Sequence, residues 1–424
     1  MMKAISIVAV IAAMLSGMPP GFGQAQVAGV EKQPESLSRL IEEAQQKNPE
    51  VQAALHGQLS ARHAQRGAGA LPDTQIVVQQ FNVGSPRPFA GYTNNDFAFI
   101  GLGVAQQIPW PGKRGLRSEI AGREAKSAQA RMEAVQRSIV VQLKETYFRL
   151  AYLQQTLIIL GENDKLLREV DQVAESRYTV GQGSQQDVLK AQLQHTAILQ
   201  EINLRQREIE QAEAELKRLL ARAQDSPDIV AEPLRERPLS KTAAELAAQV
   251  QSNPDVQAQQ EMLNKSAKQV ELARKEFRPD FGLQYMYQNT DRKFRDYYMM
   301  TLSLNLPNRG RRKAELATAL EQQRSASAQL QAEVQQRQAA IQDAVVVAQS
   351  SAEQLRIYRE GLIPQADATF RAALAGYETN KQDFETLLSS FLDVLKFQEA
   401  YQKELSDHES ALARLESLTG VVLP

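Results

Sequence analysis

The chain has 424 residues, room for about two or three ordinary domains, with net charge −1, 43% hydrophobic residues, 23% charged residues and no cysteine. That balance excludes nucleic-acid binding by bulk charge. The missing cysteines exclude a disulfide framework, a thiolate metal centre and a lipidated N-terminal cysteine. Aromatic residues make up only 6%, while Ala, Gln, Glu and Leu abound, a bias toward long helices.

Residues 1–25 read as a secretory signal peptide. Lys3 gives the positive start, and Ala4–Leu15 is an apolar run too short to span a membrane. The small residues of Gly23-Gln24-Ala25 suit cleavage after Ala25. Everything after it falls into two similar passages about 200 residues apart, each ordered as short helix, two strands, long helices. We expect a first repeat at 26–232, with a β-hairpin at 72–108 and a long helical hairpin at 113–222. The second is expected at 233–424, with a β-hairpin at 279–307 and a long helical hairpin at 311–419. A duplicated unit suggests pseudo-symmetry about an axis, and so a ring that encloses a channel.

The first repeat opens on Asn48-Pro49 and the second on Asn253-Pro254. Four segments then alternate with period two. Ile76 and Val78 correspond to Leu283 and Tyr285, and Ile100, Leu102 and Val104 correspond to Tyr298, Met300 and Leu302. Alternating segments of about ten residues suit strands of a membrane barrel, although an ordinary sheet with one buried face alternates in the same way. Four strands cannot close a barrel, so either the sheet packs on helices or several chains each donate four strands. The Gly-, Pro- and Asn-rich stretch Phe81–Asp96, and the charged stretch Asn289–Asp296, read as the outward loops of the two hairpins.

From Lys113 to Tyr178 there are 66 residues without proline, an upper limit of about 100 Å of helix if Gly161 does not interrupt it. Val135, Ile139, Leu143, Tyr147, Leu150, Leu153, Leu157 and Leu160 form one helical stripe, which Leu189, Leu193, Thr196, Leu199 and Ile202 continue after a turn. The second repeat copies this, with Pro364 expected to break its first long helix.

With these residues in hand, the chain resembles the TolC-like outer-membrane efflux proteins. The resemblance rests on the two Asn-Pro openings, the Pro-Asp before each hairpin, and Arg177-Tyr178-x-x-Gly181 followed by Asp187-Val188-Leu189. Gln106–Gly115 (QQIPWPGKRG) is similar to the heavy-metal branch of that family, which serves copper/silver or cobalt–zinc–cadmium pumps. The resemblance implies a mainly α protein with a small transmembrane β part. Three chains of four strands would complete a twelve-stranded barrel, continued by a periplasmic helical tunnel. It also implies an outer-membrane location reaching into the periplasm, and a homotrimer working with a periplasmic adaptor and an inner-membrane pump of the resistance-nodulation-division type. Such a duct is no enzyme and carries no cofactor. Drugs or secreted protein remain alternative cargoes, and a periplasmic coiled-coil scaffold is the alternative of another class.

Three places are candidate sites. The first is the pair of helix-to-helix turns, with Arg177, Tyr178, Gly181, Gly183 and Asp187 in one and Tyr377 and Asn380 in the other. The resemblance implies adaptor docking and gating there; otherwise these are plain hairpin turns. The second is an acidic gate. Where some family members place two aspartates, this chain has Thr386 and Ser389, so Asp383 and Glu385 become a displaced acidic pair, or else merely solvated charges. The third is a membrane-interface collar of Trp110, Lys113, Arg114, Arg311, Arg312 and Lys313. These cations sit at helix starts, where they oppose the helix dipole and need another reason to be there, such as lipid headgroups. The histidines (His56, His63, His195 and His408) have no metal-binding spacing.

Overall fold

The computed structural model describes residues 34–81, 98–289 and 297–420. The signal peptide and both outward hairpin loops lie outside the described residues. Among those described, the order is α1 (Leu37–Lys47), α2 (Pro49–Ala68), β1 (Gln75–Phe81), β2 (Phe99–Ile108), α3 (Lys113–Thr179) and α4 (Gln185–Leu219). After these come α5 (Ala243–Ala247), α6 (Pro254–Lys275), β3 (Asp280–Asn289), β4 (Tyr297–Asn305), α7 (Arg309–Ile357), α8 (Ile363–Glu378) and α9 (Phe384–Thr419).

Each Asn-Pro opening does the same work twice. Proline takes the first helical position, where its missing N–H costs nothing, and the asparagine caps the helix. Asn48 Oδ1 accepts from the Glu50 amide at 2.8 Å, and Asn253 Oδ1 accepts from the Asp255 amide at 2.9 Å. The other end of each amide reaches across the fold: Asn48 Nδ2 donates to the Leu219 carbonyl at 2.9 Å, and Asn253 Nδ2 donates to the Leu418 carbonyl at 3.0 Å. One buried side chain thus starts a short helix and ties off the final turn of the long hairpin in its own repeat.

The sheet is fully antiparallel in the order β1-β2-β3-β4, leaving β1 and β4 as open edges. Ile76 pairs with Val104, Val104 with Tyr285 and Tyr285 with Met300, so the alternating apolar residues of all four strands share one face. The opposite face is mostly small and polar, with Gly101, Gly103, Ala105, Gly282, Gln284, Thr301 and Ser303, and carries the paired Met286 and Met299. Gly103 is required by close approach, because a Cβ there would stand 2.5 Å from the Tyr285 carbonyl oxygen of the neighbouring strand. We expect Gly103→Val to push β2 from β3 and cost about 1–3 kcal/mol. Loss of the heat-modifiable folded band on gels would report it, and a wild-type band would show that the strands can yield.

Helix α3 is continuous over 67 residues, about 100 Å, straight through Gly161. Three buried clusters line up along it and its neighbours. Leu143, Leu150 and Leu153 pack with Leu40, Leu216 and Ile229. Leu160, Leu167 and Val170 pack with Phe370, Leu387 and Phe391 toward the turns. Val256, Ile341, Val345 and Leu412 form the third, in the second repeat. The chain between α4 and α5 is an extended strap. Gln154 clasps it through its Nε2 to the Ile229 carbonyl at 2.9 Å and its Oε1 from the Ala231 amide at 3.0 Å. Further along, a ring nitrogen of buried His408 lies 2.8 Å from the Arg237 carbonyl.

One expectation is corrected here. Pro364 does not break the helix. Between α7 and α8 the chain passes through a π-helical turn, Tyr358–Leu362, and Pro364 falls in the first turn of α8. The wider turn accommodates the proline ring and its missing donor without ending the helix. The stripe Leu189, Leu193, Leu199 is not buried within the chain: Leu193 is 70% exposed and Leu189 56%. The buried side of α4 is carried by Ala191 and Ile198 instead. Periodicity reports that a face is apolar, not which neighbour covers it.

Glu399 on α9 sits half-buried near Arg205 and Tyr152, and its Oε1 has no hydrogen-bond partner among the described residues. Burial pushes its carboxyl above the usual range, with Arg205 opposing. A carboxyl raised on folding makes the charged form costly. That cost is present at pH above the folded value and disappears below the unfolded one, near 4.5. Glu399→Gln should therefore raise the thermal midpoint at pH 7 by roughly 1–2 °C and leave it unchanged at pH 4. An equal gain at both pH values would mean packing, not charge, is responsible.

Candidate functional site

The sheet presents its apolar face to the outside. Ile76 is 76% exposed and Met300 72%, and Val78, Leu102, Val104, Tyr298, Leu302 and Leu304 are also exposed. A contiguous apolar sheet face with open edges on both sides is unstable in water, and needs lipid on the face and other strands at the edges. No described helix is long and apolar enough to cross a membrane.

At one end of the sheet the strands hand over to helices through an ion-pair joint. Gly112 takes a left-handed φ of 88° to begin α3. Lys113 follows and is buried, only 1% exposed. Its Nζ reaches Glu276 at 3.0 Å, Asp280 at 2.9 Å and the Arg278 carbonyl at 3.0 Å. Asp280 also accepts from the Trp110 amide at 2.7 Å. Glu276 additionally meets Arg117 and Arg312, both at 3.4 Å. The Trp110 ring stacks on Phe281 with centroids 5.6 Å apart, and Arg278 lies over it at 6.0 Å. This corrects the collar: Lys113 is committed to carboxylates inside the chain and cannot meet lipid. Trp110 is half-buried, Arg114 is exposed and donates to the Gly69 carbonyl at 2.8 Å, and Arg312 is half-buried. Arg311 and Arg312 pair with Glu315 at 2.8 and 2.6 Å. Arg311 and Lys313 are exposed.

At the far ends of the hairpins the two turns are near-copies. The Arg177 carbonyl accepts from the amides of Gln182 and Gly183, and the Gly376 carbonyl accepts from those of Lys381 and Gln382. Gly181 and Asn380 hold the same left-handed position, with φ of 73° and 59°; asparagine is among the few side chains that tolerate it. Ser184 and Asp383 cap the helices that follow.

The structure brings the two turns together through Arg177, which is buried. Its guanidinium donates to the Tyr377 carbonyl, to the Gln182 carbonyl at 3.0 Å and to Asn380 Oδ1 at 2.6 Å, and it stacks on the Tyr377 ring at 4.2 Å. The Tyr377 hydroxyl in turn donates to Asp187 Oδ2 at 3.2 Å. Burial, then the adjacent Asp187 carboxylate, push the Tyr377 phenol up to about 12. Tyr178 and Val180 stay exposed at the tip of the first turn.

Asp383 and Glu385 are engaged differently. Asp383 accepts from the Thr386 amide at 2.8 Å, and Thr386 holds its carboxyl below the usual range. Glu385 is exposed and pairs with Lys190 across the two hairpins. Lys190 and Glu276 were not legible as site residues: each is one charge among many on a helix, and only tertiary approach gives it a partner. Among the described residues, no group of three His, Cys, Asp or Glu side chains is placed to hold a metal ion.

A strand-built part with an outward apolar face, joined to helices of about 100 Å, defines a channel-forming membrane protein with a long helical extension. Residues 40–222 and 247–421 match the outer membrane efflux protein family, and the chain belongs to it. It is an outer-membrane efflux channel and not an enzyme. No curated protein sequence matches the chain. Solved structures share the fold. VceC from Vibrio cholerae aligns with TM-score 0.78 at 20% identity over 92% of this chain and 97% of its own. The CmeC outer membrane channel of Campylobacter jejuni gives 0.78 at 14% over 93% and 90%. The MtrE outer membrane channel of Neisseria gonorrhoeae, described in an open state, gives 0.76 at 17% over 91% and 89%.

Proposed function

We propose that this chain is the outer-membrane exit duct of a tripartite efflux system, acting as a homotrimer and passing heavy-metal cations that an inner-membrane pump and periplasmic adaptor deliver. The observation that carries the trimeric duct is the four-stranded sheet with an apolar outer face and two unpaired edges. Three copies would close those edges as a barrel, and the exposed α4 leucines would meet a neighbouring chain at the same time. The turns form the periplasmic mouth. Arg177, Tyr377 and Asp187 hold it shut within each chain, and Tyr178, Val180 and Gly181 face the adaptor.

Metal cargo is supported by the Gln106–Gly115 motif and by the carboxylates of Asp383 and Glu385 beside the mouth, which would concentrate cations. The pump, of the resistance-nodulation-division type, would supply the energy, because the duct has no chemistry of its own.

The deciding experiment is growth of a deletion strain on gradients of copper, silver, zinc, cobalt and several hydrophobic antibiotics. Sensitivity to metals alone is the expected result. Sensitivity to antibiotics alone moves the cargo to drugs and leaves the duct in place. Neutralising Asp383 and Glu385 together should lower cation preference in bilayer recordings, and unchanged selectivity would remove the acidic gate.

A further inference from the structure

Ile108, Phe281 and Leu304 are paired across β2, β3 and β4 and form a single rung of the sheet. Immediately beyond that rung all three chain passages change from apolar to basic. Trp110–Arg117, Arg274–Asp280 and Asn308–Glu315 together carry ten cations against three carboxylates. The carboxylates are taken: Glu276 by Lys113, Arg117 and Arg312, Asp280 by Lys113, and Glu315 by Arg311 and Arg312. Arg274, Lys275, Arg278, Arg309 and Lys313 are exposed and have no carboxylate partner among the described residues.

Burying Lys113 therefore does not abolish a basic belt but relocates it. Arg309 opens α7 and Lys313 stands one turn further on, at the end where the helix dipole repels a cation. Asn308 already caps this end, accepting from the Arg311 amide at 3.2 Å, so a bound anion there would be held by the basic side chains. Trp110, the only tryptophan in the chain, stacks on the last apolar rung, at the depth where amphipathic rings prefer to lie.

Resting on the reading of the sheet as a membrane barrel, we propose that Arg274, Lys275, Arg278, Arg309 and Lys313, with Trp110, bind anionic glycerophospholipid headgroups of the periplasmic leaflet. These contacts would fix the depth at which the sheet sits. A basic surface at a bilayer gains with each cation and weakens with salt.

The single tryptophan makes the test direct. The full-length protein is reconstituted into vesicles containing phosphatidylglycerol and phosphatidylcholine, with one or the other brominated on its acyl chains, and Trp110 quenching is followed. Brominated phosphatidylglycerol should quench as if enriched about threefold or more around Trp110. The enrichment should fall to parity in the Arg274→Gln/Lys275→Gln/Arg278→Gln/Lys313→Gln variant and at 1 M salt, roughly where screening reduces to 3 Å. Equal quenching by both lipids in the wild type overturns the headgroup surface but leaves the membrane barrel standing. Quenching by neither lipid overturns the barrel reading itself. A phosphatidylglycerol preference that inorganic phosphate removes at constant ionic strength would reduce the surface to a bare anion site. The Arg309→Gln variant alone, which touches no ion pair, serves if the fourfold variant does not insert.

Discussion

Replacing Arg177 with alanine should open the periplasmic mouth. The guanidinium satisfies the Tyr377 and Gln182 carbonyls and Asn380 Oδ1 and covers the Tyr377 ring, so one side chain joins both turns of the chain. Charged hydrogen bonds contribute about 1.5–3 kcal/mol each, though contacts sharing one group do not add. A net loss of about 3 kcal/mol shifts a closed–open equilibrium roughly a hundredfold. The expected results are larger conductance in planar bilayers and new sensitivity to a bulky antibiotic that the outer membrane normally excludes. Arg177→Lys should behave almost as badly, because an ammonium cannot span three acceptors while stacked on the ring. Wild-type conductance in Arg177→Ala would mean that contacts between chains, and not this residue, hold the mouth.

The second large effect is expected at the joint. Lys113→Ala leaves Glu276 and Asp280 facing each other without their central cation and strands the Arg278 carbonyl. Removing one partner of a buried ion pair costs about 3–5 kcal/mol, and here the lower end applies because Asp280 is partly exposed. The chain should still reach the membrane fraction but lose its heat-resistant assembled form. Lys113→Met, which fills the volume without charge, should lose nearly as much, whereas a harmless Lys113→Met would show that packing alone holds the joint.

Much of this molecule could be read from one sequence because its signals are local. The Asn-Pro openings, the alternating strands and the proline-free helices are each set by backbone chemistry over a few residues. Gly181 and Asn380 announced left-handed turns for the same reason. What could not be read was approach in space. Lys113 looked like a surface cation because nothing in its own segment shows that Glu276 lies 3.0 Å away. That Arg177 joins the two turns was not readable either, because its acceptors lie both in its own turn and in another some 200 residues on. The α4 leucines gave a stripe but not its neighbour, because a stripe carries no address.

Those leucines, with the two open strand edges, also set the terms of biogenesis. A single copy crossing the periplasm carries an unclosed sheet and a bare apolar helix face at once, and every copy is a template for mispairing. Correct closure depends on encounters among copies, so its rate climbs steeply with local concentration, whereas proteolysis of a lone copy does not. Supply to the membrane therefore has a threshold. Halving the number of chains delivered removes well over half of the finished ducts.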